Sequence, residues 1–134
     1  MDIENLLEEI KDAAFEVRKH LSPGYLEKVY KNALIIELES RGMKVEKEVP
    51  LPVIYKGQNV GDYYADIYVE DSVILEIKAV REITTIHEAQ LVNYLSITGV
   101  DYGYLINYGG EKFRIAKKSR IFNPGGSRFL YQKR

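Results

Sequence analysis

Asp66, Glu76 and Lys78 are the residues of this chain whose types and spacing best suit chemistry. They form the pattern D-x9-E-x-K. Glu76 and Lys78 interrupt VILEIKAV, residues 73–80, a stretch that is otherwise apolar. A short apolar run after the turn-forming Asp71-Ser72 reads as a buried strand. Side chains alternate along a strand, so Ile74, Glu76 and Lys78 share one face and Val73, Leu75, Ile77 and Ala79 the other. Residues 60–69, VGDYYADIYV, read as the preceding strand. Strict alternation puts Asp62, Tyr64, Asp66 and Tyr68 on one face and Ala65, Ile67 and Val69 on the other. Glu70-Asp71-Ser72 is short enough for an antiparallel hairpin, which brings Asp66 onto the face of Glu76 and Lys78.

Two carboxylates a few ångströms apart repel each other in a low dielectric. A hard divalent cation removes that repulsion. Mg²⁺ or Mn²⁺ takes oxygen ligands, typically one or two carboxylates with waters and substrate phosphate. Such a site can acidify a water and neutralise charge on a phosphodiester. Lys78 then stands where an attacking water or a developing negative charge needs a cation. The alternative is a structural ion pair, Glu76–Lys78 or Asp66–Lys78, which stabilises a core less well than apolar residues of similar size.

The elements that must position these residues follow from period and punctuation. Ile3, Leu6, Leu7, Ile10, Ala13, Ala14, Val17 and Leu21 have helical spacing, and Ser22-Pro23-Gly24 ends that helix. A second helix is expected over residues 25–41, stopped by Gly42. Met43, Val45 and Val49 then alternate with charged residues, and Pro50 and Pro52 make the following stretch an edge or irregular strand. After the hairpin, residues 85–88 match a capping box for a helix that ends at Gly99. Strands are expected over 102–108 and 111–116. The order ααβββαββ defines an α+β (mixed α/β) domain.

The 134 residues suit one domain, placed at 1–122, with 123–134 as a basic tail or an extra strand. The absence of cysteine excludes disulfides and Cys-based zinc sites. No apolar run is long enough to span a membrane, and the acidic, amphipathic start is unlike a signal peptide. A cytoplasmic protein is expected. The net charge of −1 does not announce a nucleic-acid binder, but residues 112–134 carry eight Lys or Arg and no acid. Lys112, Arg114, Lys117, Lys118 and Arg120 are candidates for phosphate contact; a solvated tail is the competing reading.

Gly24, Glu27 and Tyr30 spell GxxExxY at the start of the second helix. Together with D…ExK, PLPVIYKG, IHEAQLVNYL and GYLINYG, this stretch resembles the GxxExxY protein family, a branch of the PD-(D/E)XK nuclease superfamily. The resemblance implies a restriction-endonuclease-like core, a central mixed sheet flanked by helices. It implies a Mg²⁺- or Mn²⁺-dependent nuclease acting on DNA or RNA. Asp66 and Glu76 match its metal-binding acids, with Glu27 and the Ile77 carbonyl assisting, and Lys78 matches its catalytic lysine. Gln90, Tyr94 and Tyr30 match supporting positions. Ala65 stands where the superfamily's name has Pro. A non-catalytic nucleic-acid- or protein-binding module on the same fold is the alternative function, and a homodimer is left open. Two residues are expected to be structural: Glu37 paired with Arg41, and His87 in the first turn of its helix.

Overall fold

The computed structural model describes residues 1–120, so the expected tail at 123–134 lies outside the described residues. The elements are α1 (Ile3–His20), α2 (Glu27–Ser40), β1 (Val45–Tyr55), β2 (Gln58–Val69), β3 (Val73–Lys78), α3 (Thr85–Thr98), β4 (Tyr102–Asn107) and β5 (Arg114–Ser119). The order is the expected ααβββαββ. The five strands form one sheet in the order β1-β2-β3-β4-β5. Only β3 and β4 are parallel, so α3 is their crossover; every other neighbouring pair is antiparallel. This is a mixed α+β domain. No helix among the described residues is long and apolar enough to cross a membrane.

Each face of the sheet buries its own core. On one side Leu6, Leu7, Ile10, Ala13, Ala14 and Val17 of α1 and Tyr30, Leu34 and Leu38 of α2 meet Ile67, Val69, Val73, Leu75, Ile77 and Ile106. On the other, Leu91, Tyr94 and Leu95 of α3 meet Leu51, Ala65, Ile74 and Leu105. The helix α1 starts at Asp2, whose carboxylate accepts the Asn5 N–H at 2.8 Å.

The start of α3 is shifted by one residue from expectation. Thr84 is the cap: its hydroxyl accepts the His87 N–H, and the His87 ring accepts the Thr84 N–H at 3.0 Å. His87 is therefore a structural residue, taking the reciprocal role usually played by Glu or Gln. Arg41 holds Glu37 at 2.9 Å, the expected helix pair. The helix α2 begins at Glu27 rather than residue 25, because the chain from Ser22 is tied back onto Tyr30. The Tyr30 hydroxyl donates to Ser22 O at 2.6 Å and accepts the Tyr25 N–H. The strand β1 runs unbroken through both prolines, which its position at the sheet edge permits. The strand β5 starts three residues late because residues 108–112 extend the turn after β4.

The alternation expected for β2 fails at Asp66. Ala65 packs on the α3 side with Tyr68, while Ile67 and Val69 pack on the α1–α2 side. The strand therefore changes face at Asp66, and Tyr68 does not share a face with Asp62 and Tyr64. Its neighbour β1 inverts at the same level: Val45 faces α1–α2, but Val49 and Leu51 face α3. Glu48 is the residue between, and it has a positive φ of 50°. The paired inversion is the reason simple period-two reading fails here.

The far end of β3 is clamped to the turn after β4. The side chain of Asn107, almost fully buried, accepts the Val80 N–H at 3.0 Å and donates to Val80 O at 2.9 Å. Gly109 passes so close that a Cβ there would lie 2.4 Å from the Ala79 carbonyl carbon. Gly109→Ala is expected to displace the end of β3 and destabilise the fold by about 1–3 kcal/mol, the usual cost of overpacking. Urea unfolding of the variant checks this.

Candidate active site

The site forms where β2 and β3 part. Their ladder of paired residues ends at Ile67 and Leu75. One residue further on, the two acids replace the backbone bonds. Glu76 Oε2 accepts the Asp66 N–H, and Asp66 Oδ2 accepts the Ile77 N–H, both at 2.8 Å. Each carboxylate is thus fixed by the other strand's backbone. Their second oxygens, Asp66 Oδ1 and Glu76 Oε1, have no hydrogen-bond partner among the described residues. Lys78 makes no ion pair with either acid among the described residues, so the structural ion pair is not what holds this strand together.

The electrostatics follow from the burial. Glu76 is 4% exposed. Burial, and then the Asp66 charge, push its carboxyl up to about 8, against the Asp66 N–H and Lys78. Burial also raises Asp66, opposed by the Ile77 N–H, Lys31 and Lys78. Glu27, at the first position of α2, reaches the site from its solvent edge. The protein around it raises its carboxyl, opposed mainly by Lys78, with Asp66 adding to the rise. The acids Glu27, Asp66 and Glu76 and the base Lys78 thus feel one another, although they come from three elements.

GxxExxY acquires a physical account. Gly24 adopts φ 119°, a backbone conformation unfavourable for other residues. Tyr30 is fully buried, stacks on Tyr108 with ring centroids 4.8 Å apart, and ties down the approach to α2. Both serve to aim the first turn of α2, and Glu27 with it, at the end of β3. On α3, the buried Tyr94 ring faces Tyr63, and burial, then Glu76 and Asp66, push its hydroxyl up to about 12. Half-buried Gln90 lines, with Tyr94, Tyr63 and Val53, a groove of about 540 Å³ beside the site.

The donor set suits a hard cation in kind. Two carboxylates, each with an oxygen free of hydrogen bonds among the described residues, and one of them raised by burial and then by the other's charge, gain from a divalent ion that offsets their repulsion. Among the described residues no group of three or more His, Cys, Asp or Glu converges to hold a metal. The acid pair with water is therefore the fitting set, and Glu27 stands further out.

The five basic candidates do not form one surface. Lys118 pairs with Glu88 at 3.1 Å and Arg120 with Asp101 at 2.6 Å. Lys117 lies over the Tyr102 ring. These three lie at the Val73–Tyr102 end of the sheet, away from Lys78. Arg114, opposite Asn107, and Lys112 lie at the Lys78 end. Sequence reasoning missed Lys31, Glu48 and Asn107. Lys31 is one helical turn after Glu27, a spacing that could have found it. Glu48 and Asn107 act through partners remote in sequence and left no local signal.

A mixed sheet with helices on both faces, and a carboxylate pair where two antiparallel strands part, define a domain of the restriction-endonuclease-like fold. The family model of the PD-(D/E)XK nuclease superfamily matches residues 4–119. The chain belongs to that superfamily, whose members are generally hydrolytic nucleases using divalent metals. The fold is similar to the crystal structure of SSO0001, with a TM-score of 0.55 and 19% identity over 72% of this chain. The chain spans about half, 50%, of the length of that one. No curated protein matches.

Proposed function

We propose that this chain is a Mg²⁺- or Mn²⁺-dependent nuclease of the GxxExxY branch, acting in the cytoplasm on phosphodiester bonds of DNA or RNA. The observation that carries this reading is the interlocked pair at the parting of β2 and β3. Asp66 and Glu76 are held by backbone N–H groups while each keeps a second oxygen without a hydrogen-bond partner among the described residues. A fold gains no stability from a buried and a half-buried acid side by side; a cation site requires them.

When bound, the divalent ion supplies an acidified water and neutralises charge on the phosphate. The protein's part is to place oxygens and a proton-bearing cation around that position. Asp66 and Glu76 provide carboxylate ligands, with the Ile77 carbonyl as a further oxygen donor. Glu27, at the outer edge, would assist by holding a water that the ion brings. Lys78 orients the attacking water or steadies charge on the phosphate oxygens. Gln90 and Tyr94, beside the acids on α3, border the substrate's path.

The test is cleavage of single-stranded, double-stranded and branched DNA and of RNA, in Mn²⁺ and in EDTA. Metal-dependent cleavage that disappears in Asp66→Asn is expected. Binding without cleavage of any of them would instead favour a non-catalytic nucleic-acid-binding module.

A further inference from the structure

The ammonium of Lys31 is poorly explained as a stabiliser of the fold. Its side chain is 15% exposed and lies on α2, one turn beyond Glu27. Its Nζ meets Glu48 Oε2 at 2.9 Å, yet the Glu48 side chain is 62% exposed. Ion pairs with so exposed a partner contribute little stability. Burial works against the charge on Lys31, but Glu48, Asp66 and Glu27 outweigh it and raise its pKa. The lysine is therefore fully charged and its field falls on the site.

Glu48 is equally unusual. Among the described residues four non-glycines have positive φ; Lys56, Glu70 and Asp71 lie in turns, and Glu48 alone lies within a strand. It is level with Asp66 in the β1–β2 register, between the pairs Lys47–Ile67 and Val49–Ala65. A sparsely populated backbone conformation held inside a strand beside a site points to a constraint other than folding.

The sheet order gives the constraint a meaning. Glu48 and Lys31 sit at β1, Asp66 at β2, and Glu76 and Lys78 at β3. The two lysines approach the acids from the β1 and β3 sides, and those strand backbones lie two strand spacings, about 10 Å, apart. At that separation Lys31 is placed for a phosphate next to the one at Lys78 rather than for the same one. A polyanion approaching the site meets the acids Glu27, Glu48, Asp66 and Glu76, and Lys31 and Lys78 are the ammonium groups that both act on Glu27 and Asp66. Glu48 also occupies the one that faces the substrate's continuation.

We propose that Lys31 is a phosphate-binding residue of this site, screened by Glu48 until a nucleic-acid backbone displaces the carboxylate and takes over the ammonium. The proposal rests on the nuclease reading for the direction of the substrate across the acids. Its own content, a Lys31–phosphate contact opposed by Glu48, is measured by binding.

The experiment follows fluorescence anisotropy of a labelled single-stranded oligodeoxynucleotide and an oligoribonucleotide against the full chain across a range of salt. Cleavage of the same probes in Mn²⁺ is measured in parallel. Lys31→Gln is expected to weaken binding and make the salt slope shallower by about 0.7, the loss of one phosphate contact on a single strand. Lys31→Arg should restore both, which separates lost charge from lost fold. Glu48→Gln should bind more tightly than wild type. Equal binding by wild type and Lys31→Gln overturns the proposal, as does weaker binding by Glu48→Gln, the signature of a structural pair. If wild type cleaves and Lys31→Gln binds and cleaves like it, only this proposal falls. If nothing is cleaved but binding still depends on Lys31 and is opposed by Glu48, the proposal stands and the nuclease reading falls.

Discussion

Lys78→Met is expected to lower the cleavage rate by about 10²–10⁴-fold, the range for a positioned proton donor or a charge-stabilising group. Metal binding should survive. Lys78 is the last residue of β3, and its carbonyl accepts the Tyr108 N–H at 2.9 Å, so the backbone is held without the side chain. Met keeps the apolar stem and removes only the ammonium. That ammonium counteracts the rise in pKa of Glu27, Asp66 and Glu76. It also repels any cation placed between them. Removing it should leave Mn²⁺ affinity unchanged or slightly tighter, while kcat collapses. Calorimetric Mn²⁺ titration beside single-turnover cleavage separates the two effects. A variant that cleaves like wild type, or one that no longer binds metal, would show that Lys78 does not act at the phosphate.

Glu76→Gln should change how stability depends on pH and on metal. In the folded protein Glu76 titrates at about 8, against 4.5 for the free side chain. Between those values the folded state binds more protons than the unfolded state. The stability present below about pH 4.5 is therefore lost as pH rises through 8. Gln cannot ionise, and its carbonyl can still accept the Asp66 N–H that Glu76 accepts now. In EDTA the variant should match wild type below about pH 4.5, and its advantage should grow from there until pH reaches about 8. Divalent metal reverses the comparison. Wild type gains about 2.7 kcal/mol at a hundredfold excess over Kd by mass action, and the gain grows with pH because the ligands must deprotonate. The variant should gain almost nothing. Urea unfolding at several pH values, in EDTA and in Mn²⁺, measures all of this. A buried structural pair predicts the opposite, a loss of roughly 3–5 kcal/mol on removing one partner, with no response to metal.

Much of the architecture was legible because it is written in local period. The apolar stripe of α1, the proline-marked edge strand, the short hairpin turn and the apolar run of β3 each depend on residues within a few positions of one another. Where the reading slipped, a competing local bond decided the boundary. Tyr30 pulled the start of α2 to Glu27, and the Thr84–His87 exchange moved the cap of α3 by one residue. Of the site, Asp66, Glu76 and Lys78 stood out because charge within an apolar strand is anomalous. Glu27 stood out only through its motif.

By itself the sequence determined which elements form, their order, and the D…ExK acids and lysine that interrupt an otherwise apolar hairpin. Those properties follow from side-chain type and spacing along one backbone. The tertiary structure alone decided how the acids are held, since each carboxylate takes an N–H from the opposite strand where the ladder stops. It also decided that β1 and β2 change face together at Glu48 and Asp66, a coupling that neither strand's pattern contains. The same holds for Lys31 reaching Glu48 across 17 residues and for Asn107 clasping Val80 across 27. These contacts depend on where two distant segments come to rest, and no periodicity within either segment records it.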